Sequence, residues 1–342
     1  MLDVFRRFRF FLHRLVRFEY WSMNTFYAIP ALYIVYLAIK ARSLTFFAAV
    51  NPALRMGGAV GYDKYEAQKL IDEQYLPKTC FFVAKTPVQT ILQQMELNGL
   101  QFPVVAKPNM GERGVGVEKL NNSTDLTDYI ANFNGNFMLQ EFLQLPLEFG
   151  VFYYRMPDKS SKGVISVTQK QFMQLTGNGK LSILQLMQNS PRYILQIPRL
   201  KQKMGDGIHQ ILSKGQTYLL EPIGNHNRGT IFLDANYLLS EQLSAVFDNI
   251  VEPMNGFFYG RFDIKTTSPE DLLMGKNIKI MEVNGVASEP AHIYQPNNSL
   301  LNAYRDVFKH LNLIYKIAQQ NHQQGFKYPS FAEFKEALKR GK

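Results

Sequence analysis

The sequence predicts an α+β protein whose body is preceded by a short basic and hydrophobic N-terminal helical segment. Three observations lead there. From about residue 61 onward, apolar strand-like runs alternate with capped helical stretches, the pattern of an α/β or α+β body. Within it, FPVVAKPNMGERGVGV, residues 102 to 117, reads as a strand through Val104, Val105 and Ala106 that delivers Lys107, turns at Pro108 and enters a loop with Gly111, Gly114 and Gly116. Ahead of the body, arginines alternate with large apolar side chains.

With 342 residues, 46% of them hydrophobic, the chain is long enough for two to three packed units and is not a disordered tail. A formal net charge of +10 points to an anionic partner without choosing among nucleotide, nucleic acid and membrane surface. The one cysteine, Cys80, excludes an intramolecular disulfide and any multi-cysteine metal site. No internal repeat, zinc motif or RNA-binding motif is present, so no nucleic-acid partner is expected.

In chain order, residues 1 to 60 come first. Arg6, Arg7, Arg9, Arg14 and Arg17 lie among Phe5, Phe8, Phe10, Phe11, Leu12, Leu15 and Phe18, a composition suited to a helix lying on an anionic bilayer. The uncharged run from Phe26 to Ile39 follows, broken by Pro30 and closed by Lys40 and Arg42. It falls short of the about 20 residues that a span needs, so a re-entrant or interfacial anchor is expected, with a buried core helix as the alternative. This places the protein in the cytoplasm, peripheral or monotopic on the inner face of the cell membrane.

The turn-rich NPALRMGGAVG, residues 51 to 61, marks the boundary with the body. Asp63 can cap a helix over YDKYEAQKLIDEQY; PKTCFFVAKTP holds a strand; NNSTDLTDYIANF is a capped helix with Leu126, Tyr129, Ile130 and Phe133 inward; FMLQEFL is another strand. Further on, Ser182 begins ILQLM after a Gly177 to Lys180 turn, and Ser240 caps another helix. Leu301, Tyr304, Phe308, Leu311 and Tyr315 recur at helical spacing, and Ser330 with Glu333 forms a capping box for a short basic helix. The expected units are 1 to 60, 61 to 140, 141 to 325 and 326 to 342.

The glycine loop suits a polyphosphate, because glycines let backbone N–H groups approach anionic oxygens and a lysine at a strand end adds positive charge. A glycine-containing hairpin alone explains it equally well. Two further motifs shift the balance. In GRFDIK, Arg261 and Asp263 share one strand face, and in IMEVNG so do Glu282 and Asn284. Two carboxylates and an amide carbonyl are hard oxygen donors of the kind Mg²⁺ prefers. Phosphoryl transfer needs its spread negative charge neutralised and its partners aligned, which two lysines, an arginine and Mg²⁺ supply.

Taken in this order, the motifs resemble those of the ATP-grasp superfamily, specifically the D-alanine:D-alanine ligase-like carboxylate-amine ligases, over about residues 61 to 320. The resemblance implies an ATP-grasp fold, two α/β subdomains gripping ATP between them. It implies that Lys64 and Lys107 hold the phosphates under a flap carrying Gly111, Gly114 and Gly116. Glu141 would take the adenine amino group, the Phe142 and Leu143 backbone the ring nitrogens, and Glu148 the ribose. Asp263, Glu282 and Asn284 would ligate Mg²⁺, two ions in this family, with Mn²⁺ as a substitute, and Arg261 would stand beside the transferred group with Lys107. His226 and Arg228, and Ser288 and Glu289, fall where an acceptor would bind. The implied activity joins a carboxylate to an amine, small-molecule or peptide-like, through an acyl phosphate. An ATP-grasp kinase and a non-catalytic nucleotide-binding module tethered to a membrane stay open as alternatives.

The chain departs from that pattern in two places. Gly285, Val286 and Ala287 stand where D-alanine ligases carry an Asn-Thr/Ser-Pro-Gly sequence, and the substrate-binding domain of about one hundred residues that usually precedes the ATP-binding part is replaced by sixty basic and aromatic residues. The substrate is therefore expected to be held differently.

Overall fold

The computed structural model describes residues 10 to 111 and 114 to 340. Its strands form two larger antiparallel sheets and a ribbon. The first sheet has the order β1 (Thr79–Phe82), β4 (Phe137–Glu141), β2 (Val104–Pro108), β3 (Glu118–Leu120). The second has the order β11 (Lys279–Asn284), β10 (Tyr259–Thr266), β5 (Leu147–Arg155), β6 (Lys162–Gln171), β9 (Ile231–Asp234). The ribbon pairs β7 (Met173–Thr176) with β8 (Thr217–Glu221). The fold class is therefore α+β, and every paired strand is antiparallel.

Each sheet buries its own face. In the first sheet Cys80, Phe82, Val104, Ala106, Leu120, Phe137 and Leu139 pack against Ile91 and Met95 of Val88–Leu97 and Leu126 and Tyr129 of Ser123–Asn132. The alternation of apolar side chains along β2 leaves Lys107 on the opposite, open face. In the second sheet Phe149, Val151, Tyr153, Phe262 and Ile264 meet the apolar stripe of Glu241–Val251, including Leu243, Phe247 and Ile250. Most caps lie where the side chains call for them: Asp63, Ser182, Ser240 and Ser330 each accept from a backbone N–H of the first turn.

The first described residues are part of this body. Ala28–Ala41 lies across the long helix Leu300–Gln323, burying Leu37 and Ala38 with Phe46, Ala49 and Val50 against Phe152, Tyr259 and Ile314. Phe18 and Phe26 pack against Ile293, Tyr304 and Val307. Asn51, wholly buried, ties the turn-rich stretch to β10: its amide donates to the Gly57 and Tyr259 carbonyls and its oxygen accepts from the Phe258 and Tyr259 N–H groups. Gly58, at φ +79, and Gly285 cross so closely that a Cβ on either would sit 2.7 Å from the other's Cα.

Two expectations need correction. The helix expected over YDKYEAQKLIDEQY stops at Gln68, and only a short turn re-forms at Glu73–Tyr75, because Asp72 caps a new start. Leu301 is 80% exposed rather than inward; Ala303, Val307 and Ile314 fill the packed stripe of that helix instead. Among the described residues no helix is long and apolar enough to cross a membrane. Ala28–Ala41 buries Pro30, Leu37 and Ala38, and its outward stripe, Ile29, Leu32, Val35, Tyr36 and Ile39, stays exposed. Residues 1 to 9, with Phe5, Arg6, Arg7, Phe8 and Arg9, lie outside the described residues, as do Glu112 and Arg113 of the glycine loop.

Candidate functional site

A cavity of about 950 Å³ runs between the open faces of the two larger sheets and continues toward the N-terminal segment. Register places its chemistry. In the antiparallel pair of β10 and β11, Arg261 stands opposite Asn284 and Asp263 opposite Glu282, so the four polar side chains of the two motifs form one square. Glu148 on β5 stands opposite Lys265 on one side and Lys170 on the other.

Within this square the charges are paired. Arg261 grips Asp263 through two parallel bonds, Nε to Oδ1 at 2.9 Å and Nη2 to Oδ2 at 3.1 Å, and Asn284 Nδ2 adds a third at 3.3 Å. Lys170 Nζ lies 2.8 Å from Glu148 and 3.5 Å from Asp263. Lys64 Nζ lies 3.0 Å from Glu282. From the facing sheet Lys107 Nζ donates to Gln140 Oε1 at 2.5 Å and reaches the Met281 carbonyl at 3.5 Å. Lys64, Lys107, Lys170, Arg261 and Lys265 thus gather around Glu148, Asp263 and Glu282, a local concentration of positive charge suited to a polyanionic ligand, while Glu19, Glu141 and Glu289 line the rest of the cavity.

The electrostatics follow from burial against neighbours. Burial alone would raise the Asp263 carboxyl, but Arg261 and Lys170 outweigh it and hold the group at about 2. Glu282 is likewise opposed by burial yet lowered by Lys64, with Lys107 adding to the effect. Lys170 keeps its proton above the ordinary range: burial pulls it down, and Asp263 and Glu148 more than compensate. Lys107 behaves differently. Burial dominates there and, despite Glu282, drops its ammonium to about 8.

Asn109 joins the segments carrying Lys64 and Lys107 mechanically. Its Nδ2 donates to Asp63 Oδ2 at 2.7 Å and its Oδ1 accepts from Tyr65 N, so the loop after Lys107 is pinned to the turn carrying Lys64. The segment Glu141, Phe142 and Leu143 lines the cavity beside Glu148, with Lys265 Nζ donating to the Leu143 carbonyl at 3.1 Å. Gly111 and Gly114 also line it. Gly116 instead packs beneath, its missing side chain making room for Pro108.

The acceptor candidates divide. Ser288 and Glu289 line the cavity; the Ser288 hydroxyl donates to the Gly285 carbonyl, and Arg261 Nη1 donates to the Glu289 carbonyl at 3.1 Å. His226 lines it too, but its ring contacts Arg192 Nη2 at 3.0 Å and the Glu19 carbonyl at 3.4 Å. Burial and Arg192 lower it to about 3, so it is a neutral strut for the N-terminal segment at physiological pH. Arg228 is not part of the lining and donates to the Gly114 carbonyl at 2.7 Å, holding the glycine loop from behind.

Three site residues escaped the sequence reading. Lys170 and Gln140 were legible only through register, since each takes its meaning from the strand beside it. Tyr27, which lines the cavity beside Glu289, comes from a stretch read for bilayer contact.

Asp263, Glu282 and Asn284 present hard oxygen donors, and both carboxylates are held ionised, so the donor set fits a hard divalent cation. Among the described residues there is no cluster of three or more His, Cys, Asp or Glu side chains able to hold a metal. Such an ion would therefore draw further oxygens from phosphate and water.

No protein-family model and no curated protein matches the chain. Among solved structures it is similar to a bifunctional glutathione synthetase from Pasteurella multocida, at 17% identity and a TM-score of 0.36, covering 72% of this chain and 36% of that one. It is also similar to the D-alanine–D-alanine ligase from Bacillus anthracis, at 13% identity and a TM-score of 0.43, covering 80% of this chain and 72% of that one. The VanG D-Ala:D-Ser ligase from Enterococcus faecalis matches at 13% identity and a TM-score of 0.41, covering 78% and 64% respectively. The chain spans about a third of the length of the glutathione synthetase that it matches.

Proposed function

We propose that the protein is an ATP-grasp carboxylate-amine ligase, ATP- and Mg²⁺-dependent. The observation that carries this reading is the square of Arg261, Asp263, Glu282 and Asn284 with Lys64, Lys107 and Lys170 around it, in a cavity between two sheets. Lys64, Lys107 and Lys170 neutralise the phosphates, Glu148 takes the ribose, and the Glu141 to Leu143 segment takes the base. Asp263, Glu282 and Asn284 would hold the Mg²⁺, which when bound neutralises phosphate charge. A carboxylate oxygen attacks the γ-phosphorus as the bond to ADP breaks; the amine then attacks the acyl carbon, loses a proton, and phosphate leaves. Arg261 faces the charge that develops at both stages. The exposed apolar stripe of Ala28–Ala41, with Lys40 and Arg42 at its end, suits an anionic bilayer surface.

Purified protein, ATP and Mg²⁺ are incubated with pooled carboxylic acids and hydroxylamine, and the products are read by mass spectrometry. A ligase gives a hydroxamate, and adding the amine replaces it with an amide. A kinase gives a phosphorylated product that hydroxylamine leaves intact. Glu282→Gln is expected to abolish hydroxamate formation while the fold persists. Normal turnover by that variant contradicts the assignment of the metal residues.

A further inference from the structure

The polar square occupies one end of the cavity. Past Arg261 the walls change character. Tyr27 and Ile34 from the N-terminal segment, Val286 from the loop after β11, and Val307, Leu311 and Ile314 from one face of Leu300–Gln323 line the same continuous space. Positions 307, 311 and 314 recur at helical spacing, so a single stripe of that helix faces the cavity. His310 on the same wall does not make it charged: its Nδ1 is 2.7 Å from the Tyr259 hydroxyl, and burial, aided by His292 and Lys309, keeps the ring neutral. At the border stands Glu289, whose carboxylate meets the Tyr27 hydroxyl and accepts from the Tyr294 hydroxyl at 3.0 Å.

The pocket therefore has a polar threshold and an apolar wall along Leu300–Gln323, with Glu19, Ser22, Asn24, His226 and Asn227 also in its lining. On the reading proposed above, we infer that the acceptor is an amphipathic amine, its nitrogen placed at Glu289 beside Arg261 and its hydrocarbon body lying between the Ala28–Ala41 and Leu300–Gln323 helices. The Glu289 carboxylate suits a cationic or hydrogen-bond-donating nitrogen, and the two tyrosine hydroxyls fix its direction. Ile34 and Tyr27 supply the wall that closes the site on this side. A small, fully polar amino acid would leave that apolar surface without a partner, whereas an alkyl or aromatic body removes it from water.

The test uses n-alkylamines, ethylamine to decylamine, below their micelle concentrations, with the intact chain. Trp21, the chain's one tryptophan, lines the cavity, so its fluorescence reports binding. Affinity is expected to rise about fourfold per methylene and then level off when the pocket is full. Ile34→Ala should move the plateau to longer chains and Ile34→Phe to shorter ones. Affinity independent of length, or a plateau that neither variant moves, overturns the proposal, the latter because the chain would then sit on the exposed outer stripe. ATP titration of the same samples separates the two readings. ATP binding with a flat amine series sinks the pocket alone, and a rising series without ATP binding sinks the nucleotide site alone.

Discussion

Around Asp263 each carboxylate meets a cation at 2.8 to 3.5 Å, whereas around Ile34 and Leu311 the same cavity is walled largely by carbon. The first end is fixed by direction: Glu148, Asp263 and Glu282 each face a cation, and the register of β5, β6, β10 and β11 sets where Glu148, Lys170, Arg261, Asp263 and Glu282 stand. The second end is fixed by volume, and volume-conserving changes in such a region cost less than about 1.5 kcal/mol. The contrast teaches where variation can be borne. A protein can exchange the body of its substrate by repacking the carbon wall, but it cannot move a charge in the square without stranding another.

The largest effect is expected for Asp263→Ala. It leaves Arg261 and Lys170 buried without their shared carboxylate, and removing one partner of a buried pair costs about 3–5 kcal/mol. Denaturant unfolding measures this; a loss below about 1 kcal/mol would mean that the square is solvated and not directional. The pH dependence has a definite sign. Asp263, at about 2 against an ordinary 3.8, contributes stability that is fully present above about 3.8 and is lost as pH falls toward 2.

A smaller effect sharpens the other side. Leu32→Ser with Ile39→Ser changes the outward stripe of Ala28–Ala41, which touches neither end of the cavity lining. Stability is expected to change by less than about 0.5 kcal/mol per site, as for other surface positions. Sedimentation with anionic vesicles should nonetheless fall for this variant relative to the parent. Unchanged sedimentation would show that this stripe does not contact the bilayer.

Much of the polar end was legible in the sequence because its residues come in short motifs whose spacing already puts them on one strand face: Arg261 with Asp263, Glu282 with Asn284. Lys170 was not, because its role depends on β5 lying beside β6, and pairing is a long-range fact that a local pattern does not carry. The N-terminal stretch was read by composition, which sees that Phe26 to Ile39 is apolar on all sides. It cannot see that Leu37 and Ala38 are spent on the Leu300–Gln323 helix while Leu32 and Ile39 are not. His226 and Arg228 show the same limit from the other direction. Both sit near the cavity as expected, yet their hydrogen bonds go to Arg192, Glu19 and Gly114, so they brace chain segments.

Calorimetric titration of ATP is the direct test of the proposed nucleoside triphosphate site, with Lys107 on the phosphates. Lys107→Ala at neutral pH should weaken binding about ten- to hundredfold, the loss of one charge-assisted contact of about 1.5–3 kcal/mol. Burial lowers the Lys107 ammonium to about 8, so it is charged below that pH and neutral above. Affinity in the parent should therefore fall about thirtyfold between about pH 7 and about pH 9.5, and Lys107→Arg, which keeps its charge, should flatten that decline. Equal ATP affinity in the parent and Lys107→Ala, with no fall through pH 8 in either, would contradict the claim.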